Sequence, residues 1–341
     1  MNSLFDSFNK LNVLIIGDLI LDIYISGKVQ RISSEAPIPI LEINNKEYRL
    51  GGAANVAANI KAMGAEPYLC SIVGNDEASI RFRNLLKEKD LCDSYILNSD
   101  NIKTTTKTRF LSQSQQILRV DDEVTDPIDP EDTELLANNI YNLLAEKKID
   151  SIIFEDYDKG IITPKLICQV VDKAKQNRIP ITVDPKIRNF NNYHGVTLFK
   201  PNFKEFCDGL QINIDANNIE LLSYHAEKLR KELRTDIIMV TLSEKGLFIQ
   251  DEHNYYTMPT YAKNIYDVSG AGDTVISIAS LALTLNLDIY TIALLSNISG
   301  GIACETMGVG PINKTQLKER AKPLLLGITD IYGNKMQKLK M

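Results

Sequence analysis

The chain has 341 residues, of which 44% are hydrophobic and 24% charged, and its net charge at pH 7 is −6. This composition is typical of an α/β enzyme with a large interior. The acidic balance, without a lysine–arginine block, argues against nucleic acid as the main partner. No apolar run approaches the ~20 residues that span a bilayer, and residues 1–10 lack the layout of a signal peptide. We therefore expect a cytoplasmic protein without membrane contact.

Strand and helix patterns alternate along most of the chain. The apolar runs at 151–154, 179–183 and 236–240 are continuous, as expected where helices cover both faces of a parallel sheet. The patterns predict strands at 12–17, 67–72, 94–97, 151–154, 179–183, 196–199, 236–240 and 246–250, and helices at 53–63, 77–89, 130–147, 163–177, 203–208, 217–233, 272–285, 288–305 and 314–320. We predict an α/β fold with a mostly parallel central sheet flanked by helices, in one domain at 1–320 followed by a tail at 321–341.

Two stretches interrupt this alternation. Residues 20–48 and 102–122 show the period-two pattern of half-exposed strands. We expect them to form a small β-sheet apart from the central one. The exposed edges of such a sheet need covering, and we expect a second copy of the chain to cover them in a homodimer.

A glycine pair, Gly51-Gly52, runs into a predicted helix of small residues. Asn55 and Asn59 lie four residues apart on this helix and share a face. Two amide side chains on an otherwise apolar helix are costly to bury unless they find hydrogen-bond partners. The segment therefore predicts either a binding site or a tightly packed helix in which Asn55 serves a local turn.

Two polar loops follow apolar strands in the second half of the chain. Asn202 and Glu205 open a predicted helix, where they could form no more than a capping box. The loop from Thr241 to Gly246 follows the strand at 236–240. Both loops are expected at the carboxyl ends of strands, where open α/β sheets bind ligands.

The segment from Tyr266 to Thr274 is the most informative part of the chain. Gly270 and Gly272 can take backbone angles closed to other residues, and they let a ligand approach the main chain. The free amides and the dipole of a helix N-terminus favour an anion there, and Asp273 stands beside them. An anion site next to a general base is what phosphoryl transfer to a hydroxyl requires. The alternative is that Asp273 is only the N-cap of a buried helix.

The two glycine-rich helix starts, 51–60 and 266–274, together resemble the paired signatures of the ribokinase family, also called PfkB sugar kinases. Residues 31–39 resemble the corresponding segment of the heptose-7-phosphate kinases of that family, with Ser34 where those enzymes carry proline. The further matching segments are 106–109, 115–121, 156–160 and 184–186. The resemblance covers roughly residues 10–315.

This resemblance implies a ribokinase-like fold in which the two period-two stretches form a β-sheet lid over the sugar and often the dimer contact. The residues that it implies for the sugar are Asp18, Asp22, Gly51, Gly52 and Asn55. We expect at least two lid cations to hold the sugar's own phosphate, because arginine and lysine bind phosphate oxygens. The four candidates, which could instead be ordinary solvated charges, are Arg31, Lys107, Arg109 and Arg119.

On the other side of the site, the resemblance implies ATP and Mg²⁺. The nucleotide-side residues that it implies are Lys159, Asp184, Lys186, Asn202, Glu205, Thr241, Ser243, Gly246 and Asn297. Asn202 and Glu205 would organise Mg²⁺ through water. The base would be Asp273, with the backbone of Gly270, Ala271 and Gly272 holding the transferring group. A K⁺ requirement stays open, because residues 308–311 depart from the family's pattern.

The resemblance predicts an ATP-dependent kinase that phosphorylates the anomeric hydroxyl of D-glycero-D-manno-heptose 7-phosphate for the synthesis of ADP-heptose and lipopolysaccharide. One alternative is a kinase of another sugar phosphate, such as fructose 1-phosphate or tagatose 6-phosphate. Another alternative is a non-catalytic sugar-phosphate sensor. The sequence ends at Met341 and has no H-x-G-H motif, so we expect a separate adenylyltransferase to act downstream.

Overall fold

The computed structural model describes residues 2–113 and 115–325, so residues 326–341 of the predicted tail lie outside the described part. The strands are β1 (Asn12–Gly17), β2 (Leu19–Ile32), β3 (Pro39–Gly52), β4 (Glu66–Gly74), β5 (Ile96–Ser99), β6 (Thr105–Ser112), β7 (Gln115–Asp122), β8 (Ser151–Glu155), β9 (Ile181–Asp184), β10 (Leu198–Phe199), β11 (Ile237–Thr241), β12 (Leu247–Gln250) and β13 (Tyr255–Met258). The helices are α1 (Asn2–Ser7), α2 (Ala53–Ala62), α3 (Glu77–Glu88), α4 (Pro130–Glu146), α5 (Pro164–Asn177), α6 (Phe203–Leu210), α7 (Ile219–Leu233), α8 (Ala271–Thr284) and α9 (Ile289–Cys304). Residues 314–325 are also helical, so this helix continues past residue 320.

Within the described residues, nine strands form the central sheet in the order β13-β12-β11-β10-β9-β8-β1-β4-β5. Every neighbouring pair from β11 to β5 is parallel. At the other edge, β12 and β13 are added in antiparallel pairing. The predicted α/β fold with a mostly parallel sheet is therefore confirmed.

Both faces of the central sheet are buried under helices. Along β8, Ile153 faces a core that α2, α8 and α9 complete. Its neighbours Ile152 and Phe154 face a second core formed with α4, α5 and α7. Because successive side chains of a strand point to opposite faces, a strand buried on both sides has to be apolar throughout. This is the physical basis of the continuous apolar runs in the sequence.

A second sheet in the described residues has the order β3-β2-β6-β7. Its central pair, β2 and β6, is parallel, and the two outer pairs are antiparallel. We call these four strands the lid sheet; they coincide with the two period-two stretches of the sequence. Only Asp18 separates β2 from β1, so the lid sheet rises directly from the carboxyl end of a central strand.

Local patterns missed some elements. They gave no strand at β13, which is a short and mostly exposed edge strand. They also ended the first lid stretch at residue 48, whereas β3 continues to Gly52. No helix in the described ranges is long and apolar enough to cross a membrane.

Candidate active site

The carboxyl ends of adjacent central strands meet at one cavity of about 830 Å³. β9 ends at Asp184, Lys200 follows β10, and β11 ends at Thr241; all three residues line this cavity. The turn that starts α8, from Gly270 to Asp273, lines it as well. The cavity therefore lies at the edge where open α/β sheets bind ligands.

Asp273 is buried in the first turn of α8, with 2% of its surface exposed. Its Oδ2 accepts a hydrogen bond from Asn55 Nδ2 at 2.7 Å, and its Oδ1 accepts one from the Tyr157 hydroxyl at 2.7 Å. Burial raises the pKa of Asp273, whereas these two bonds lower it because they favour the charged form. The net result is a raised pKa, and the two hydrogen bonds hold the Asp273 side chain in one orientation at the wall of the cavity.

The N-cap of α8 is Gly270, so the alternative interpretation of Asp273 as the cap is wrong. Gly270 has a φ of +76°, and a Cβ at this position would lie 2.8 Å from Asn55 Nδ2. Glycine is therefore required both for the left-handed backbone and for the approach of α2. Asn55, for which a local turn was one of two predicted roles, contacts a residue 218 positions away.

Two backbone amides of the predicted anion site already donate to acceptors within the chain. The Ser269 N–H donates to Asp267 Oδ1 at 2.9 Å. The Ala271 N–H donates to a backbone carbonyl three residues earlier at 3.2 Å. The proposal for donors to a bound phosphoryl group therefore falls on the amides of Gly270 and Gly272.

A buried group of charges lies beneath this turn. Lys200 Nζ lies 2.7 Å from Asp184 Oδ2, and both side chains are almost completely buried. Glu155, at the end of β8, is 1% exposed, and within the described residues neither of its carboxylate oxygens has a hydrogen-bond partner. Burial, and then the charges of Asp184 and Asp273, raise the pKa of Glu155 well above its ordinary value. Burial and these neighbouring charges thus favour the neutral form of the Glu155 carboxyl group.

Asn202 and Glu205 form a complete capping box at α6. Asn202 Oδ1 accepts from the Glu205 N–H at 2.9 Å, and Glu205 Oε2 accepts from the Asn202 N–H at 2.8 Å. Lys186 Nζ donates to the remaining carboxylate oxygen, Oε1. All three residues line the cavity. The capping-box alternative is thus a real structural role, and a role in binding Mg²⁺ would have to use the lone pairs that remain.

The loop after β11 lines the same cavity with Thr241, Ser243 and Gly246. A Cβ on Gly246 would lie 1.9 Å from the Met258 carbonyl oxygen, so only glycine fits there. Ser243 has a φ of +56°, which is the left-handed conformation usually left to glycine. Across the cavity, Asn297 Nδ2 donates to a backbone carbonyl at 2.6 Å.

Asp22, Gly51 and Arg109 meet where the lid sheet leaves the central sheet. Asp22 is 3% exposed, and the Arg109 guanidinium donates to its Oδ1. Burial raises the pKa of Asp22, and the nearby positive charge of Arg109 lowers it. A Cβ on Gly51 would lie 2.2 Å from Asp22 Oδ2, so the glycine makes room for this carboxylate. Gly52, the N-cap of α2, completes the turn with a φ of +58°.

Asp18 has partners that the sequence did not predict. Its carboxylate accepts three backbone hydrogen bonds: from Tyr157 at 2.7 Å, Lys159 at 3.2 Å and Ile161 at 3.2 Å. Burial and the neighbouring charge of Asp156 raise the pKa of Asp18 to about 7. This geometry makes Asp18 the anchor of the loop that follows β8. Its contact with sugar hydroxyls stays a prediction.

One face of the lid sheet carries most of the predicted cations. Cross-strand partners share a face, and the register pairs Asp22 with Lys107 and Arg109 with Arg119. Lys107 and Arg109 are largely buried, with 14% and 13% of their side chains exposed. Arg119 lies on the same face but is 51% exposed, where it pairs with Asp121.

Two predicted cations lie elsewhere. Arg31 is 68% exposed and meets Glu42 at 3.7 Å. It follows Asp22 by nine residues on β2, which is about 30 Å at ~3.3 Å per residue, so it does not reach the same site in one copy of the chain. Lys159, predicted on the nucleotide side, instead lies under the lid, where its Nζ donates to Glu123 Oε1 at 2.7 Å.

A family model described as pfkB family carbohydrate kinase matches residues 10–316. The chain belongs to the pfkB family of carbohydrate kinases. A curated relative in Helicobacter hepaticus, named Bifunctional protein HldE, is 36% identical over 296 residues. That alignment covers 87% of this pfkB chain and 61% of the relative, so the chain spans less than two thirds of the relative's length.

The pfkB fold is also seen in solved structures. Phosphofructokinase-2 from Escherichia coli, in complex with substrates and products, superposes with a TM-score of 0.74 at 16% identity. The alignment covers 91% of this chain and 97% of the phosphofructokinase-2 chain. Arabidopsis thaliana ribokinase, complexed with ribose and ATP, has a TM-score of 0.68 at 16% identity, with coverages of 90% and 98%. At these identities the likeness shows the fold alone, and it confirms the predicted ribokinase-like architecture.

Three contacts in this member of the pfkB family were not predicted from the sequence. Tyr157 lies inside the matched segment 156–160 and Lys200 lies two residues before Asn202, but neither was predicted to reach Asp273 or Asp184. The signal for Lys200 was its position directly after a buried strand, because a buried lysine needs a charged partner. Arg49 lies in no motif that would have predicted its contact. Its Nη1 donates to the Met307 carbonyl at 2.8 Å, which connects the lid sheet to the segment after α9.

Proposed function

We propose that this pfkB kinase transfers the γ-phosphoryl group of ATP to the anomeric hydroxyl of D-glycero-D-manno-heptose 7-phosphate, giving heptose 1,7-bisphosphate. The observation that carries the reaction type is Asp273, a buried carboxylate fixed by two hydrogen bonds at the wall of the cavity. The heptokinase-like segments of the sequence and the HldE relative support the choice of substrate.

In this proposal the nucleotide occupies the cavity lined by Asn202, Glu205 and the 241–246 loop. The sugar phosphate lies between Asp273 and the charged face of the lid sheet. As the anomeric oxygen attacks the γ-phosphorus, its O–H bond breaks and the proton passes to Asp273. The new O–P bond forms while the bond from the γ-phosphorus to the bridging oxygen breaks, and ADP leaves with that oxygen. Closure of the lid would exclude water.

The residues at the cavity fit an indirect role for Mg²⁺. The three polar contacts of the capping box and Lys186 already use one lone pair on each side-chain oxygen of Asn202 and Glu205. Carboxylate and amide oxygens keep further lone pairs that can accept from metal-bound water. When bound with ATP, Mg²⁺ would supply positive charge to the β- and γ-phosphate oxygens. A dependence on K⁺ is tested by comparing product formation with and without K⁺ in the ³¹P NMR assay described below.

The proposed assembly is a homodimer built through the lid sheets. The face of the lid opposite to Arg109 and Arg119 carries exposed apolar side chains, among them Leu118 and Val120. Exposed apolar residues on an edge strand favour association with another copy. Because both proposed substrates are cytoplasmic metabolites, we propose that the enzyme acts in the cytoplasm, with adenylylation following downstream in the pathway.

The proposal is tested by ³¹P NMR of products formed from ATP, Mg²⁺ and a panel of heptose 7-phosphate, fructose 1-phosphate and tagatose 6-phosphate. A new anomeric phosphate signal with heptose 7-phosphate alone is the expected result. A signal with one of the other sugar phosphates would assign the alternative substrate. Binding of a sugar phosphate without any turnover would identify the chain as a sensor and contradict the proposed reaction.

A further inference from the structure

The Tyr157 hydroxyl is hydrogen-bonded to one carboxylate oxygen of Asp273, the proposed base. It donates to Asp273 Oδ1 at 2.7 Å, whereas Asn55 donates to the other carboxylate oxygen, Oδ2. Burial raises the pKa of Tyr157 well above its ordinary value, so this hydroxyl stays protonated and remains a donor at neutral pH. Two neutral donors thus fix the plane of the carboxylate and leave each oxygen a lone pair for an incoming hydroxyl.

The backbone of Tyr157 is hydrogen-bonded to Asp18, a second carboxylate near the site. The Tyr157 N–H donates to Asp18 Oδ2 at 2.7 Å, and two further amides of this loop donate to the same carboxylate. The Tyr157 ring lies 5.4 Å from Lys186 Nζ, on the side of the capping box. Tyr157 therefore connects three parts of the site through contacts of its own backbone, ring and hydroxyl.

We propose that Tyr157 is a positioning residue: its hydroxyl orients Asp273 and keeps it ionised, and its backbone fixes that hydroxyl relative to Asp18. This inference rests on the proposed function, since it assigns Asp273 as the base. An ionised carboxylate is needed to accept the proton of the acceptor hydroxyl. A hydrogen bond donated to the charged form opposes the rise in pKa that burial causes.

Other charges face Asp273 from the elements packed around it. Asp184 of β9 adds negative charge that raises the pKa of Asp273, and Lys200 after β10 adds positive charge that lowers it. Glu155 of β8 faces Asp273 as well, and the charge of Asp273 contributes to the raised pKa of Glu155. The contact from α2 is the uncharged amide of Asn55. Burial and Asp184 oppose ionisation of Asp273, whereas the two neutral donors and Lys200 favour it. The two donors are the contributions made through direct hydrogen bonds to the carboxylate.

The test compares Tyr157→Phe with Tyr193→Phe. Tyr193 is a matched control, because its buried hydroxyl also donates to a carboxylate, Asp156 Oδ2, at 2.7 Å. Its ring lies in the opposite core, away from Asp273. Protein labelled with ¹³C at the aspartate carboxyl is titrated by NMR without substrate, and the Asp273 signal is identified by its loss in Asp273→Asn.

Loss of one hydrogen bond to a charged group is expected to raise the Asp273 midpoint by about one to two pH units in Tyr157→Phe. In Tyr193→Phe the midpoint should stay at the wild-type value. An unchanged midpoint in Tyr157→Phe, or an equal rise in both variants, would overturn the positioning role. Thermal melting of both variants reports whether each remains folded.

Kinetics separate this inference from the proposed function. The acid limb of the kcat/KM profile for heptose 7-phosphate should move upward in Tyr157→Phe by the same interval as the NMR midpoint, with KM for ATP unchanged. If the NMR midpoint moves but neither the wild type nor any variant turns over heptose 7-phosphate, the positioning role stands and the substrate assignment fails.

Discussion

Asp273 is the residue on which the reaction type depends, and its surroundings distinguish a base from a cap. A capping carboxylate would accept from helix amides, whereas Asp273 accepts from Asn55 and Tyr157. We predict that Asp273→Asn lowers kcat by about 10²- to 10⁴-fold, because an amide cannot take up the proton. Binding of ATP and of the sugar phosphate, measured by calorimetry, should change far less.

The control for that variant is Asp288→Asn. Asp288 is a true N-cap, since its Oδ1 accepts from the Thr291 N–H at 3.0 Å at the start of α9. Its substitution should leave kcat unchanged and affect the thermal midpoint alone. Near-normal turnover by Asp273→Asn would contradict the mechanism proposed here.

Glu155 gives a prediction about stability and pH. Its pKa is raised in the folded chain, so the stability it contributes is complete below its unfolded pKa and is lost as pH rises toward its folded pKa. Glu155→Gln removes this titration. The melting temperature of the variant, relative to wild type, should therefore rise as the pH increases above the unfolded pKa of a glutamate, about 4.3.

A residue with the opposite shift serves as the control for Glu155. Glu305 pairs with Arg320, and this partner lowers the pKa of Glu305. Glu305→Gln should therefore lose a constant amount of stability over the same pH range, which lies above the unfolded pKa. A gap between Glu155→Gln and wild type that does not vary with pH would show that Glu155 does not titrate as predicted.

At the scale of elements, the lid sheet brings cations from separate strands onto one face. Arg109 and Arg119 are register partners on β6 and β7. We predict that Arg109→Ala and Arg119→Ala raise KM for the sugar phosphate by about tenfold to a hundredfold, the effect of losing one charged hydrogen bond. KM for ATP should stay unchanged in steady-state assays of both variants.

The two arginine variants should differ in stability. Arg109→Ala leaves Asp22 buried without its ion-pair partner, which costs about 3–5 kcal/mol in comparable sites. Arg119 is half exposed, so Arg119→Ala should melt close to wild type. Wild-type affinity for the sugar phosphate in both variants would mean that its phosphate is bound elsewhere.

At the scale of the whole molecule, the lid sheet offers an interface for a second copy. Leu118 is 54% exposed and Val120 is 45% exposed, both on the face opposite to the charged one. Leu118→Lys and Val120→Lys should shift the chain from dimer to monomer in sedimentation velocity experiments, because a lysine has to be desolvated at such an interface. Ile80, which is 64% exposed on α3, supplies the control Ile80→Lys. A mass unaffected by the lid variants would contradict this assembly.

The architecture was predictable from the amino-acid sequence, and motifs in that sequence also support the proposed reaction type. Continuous apolar runs predicted the doubly covered parallel sheet, because a strand buried on both faces cannot alternate. Glycines in the sequence also marked sites where no side chain fits. Gly270 and Gly246 have left-handed backbones and close neighbours that exclude a side chain. Period-two patterns located the lid sheet, although β3 runs on to Gly52, beyond the predicted end.

Which side chains meet could not be predicted without the three-dimensional fold. Asn55 and Asp273 are 218 positions apart, and Tyr157 reaches the same carboxylate from 116 positions away. No local pattern encodes such pairs, because they depend on how β8, α2 and α8 converge at one edge of the sheet. For the same reason Arg31 and Arg109, both predicted in the lid, lie far apart on its strands. Composition and spacing specify elements, whereas contacts between distant elements set the charge and the orientation of the base.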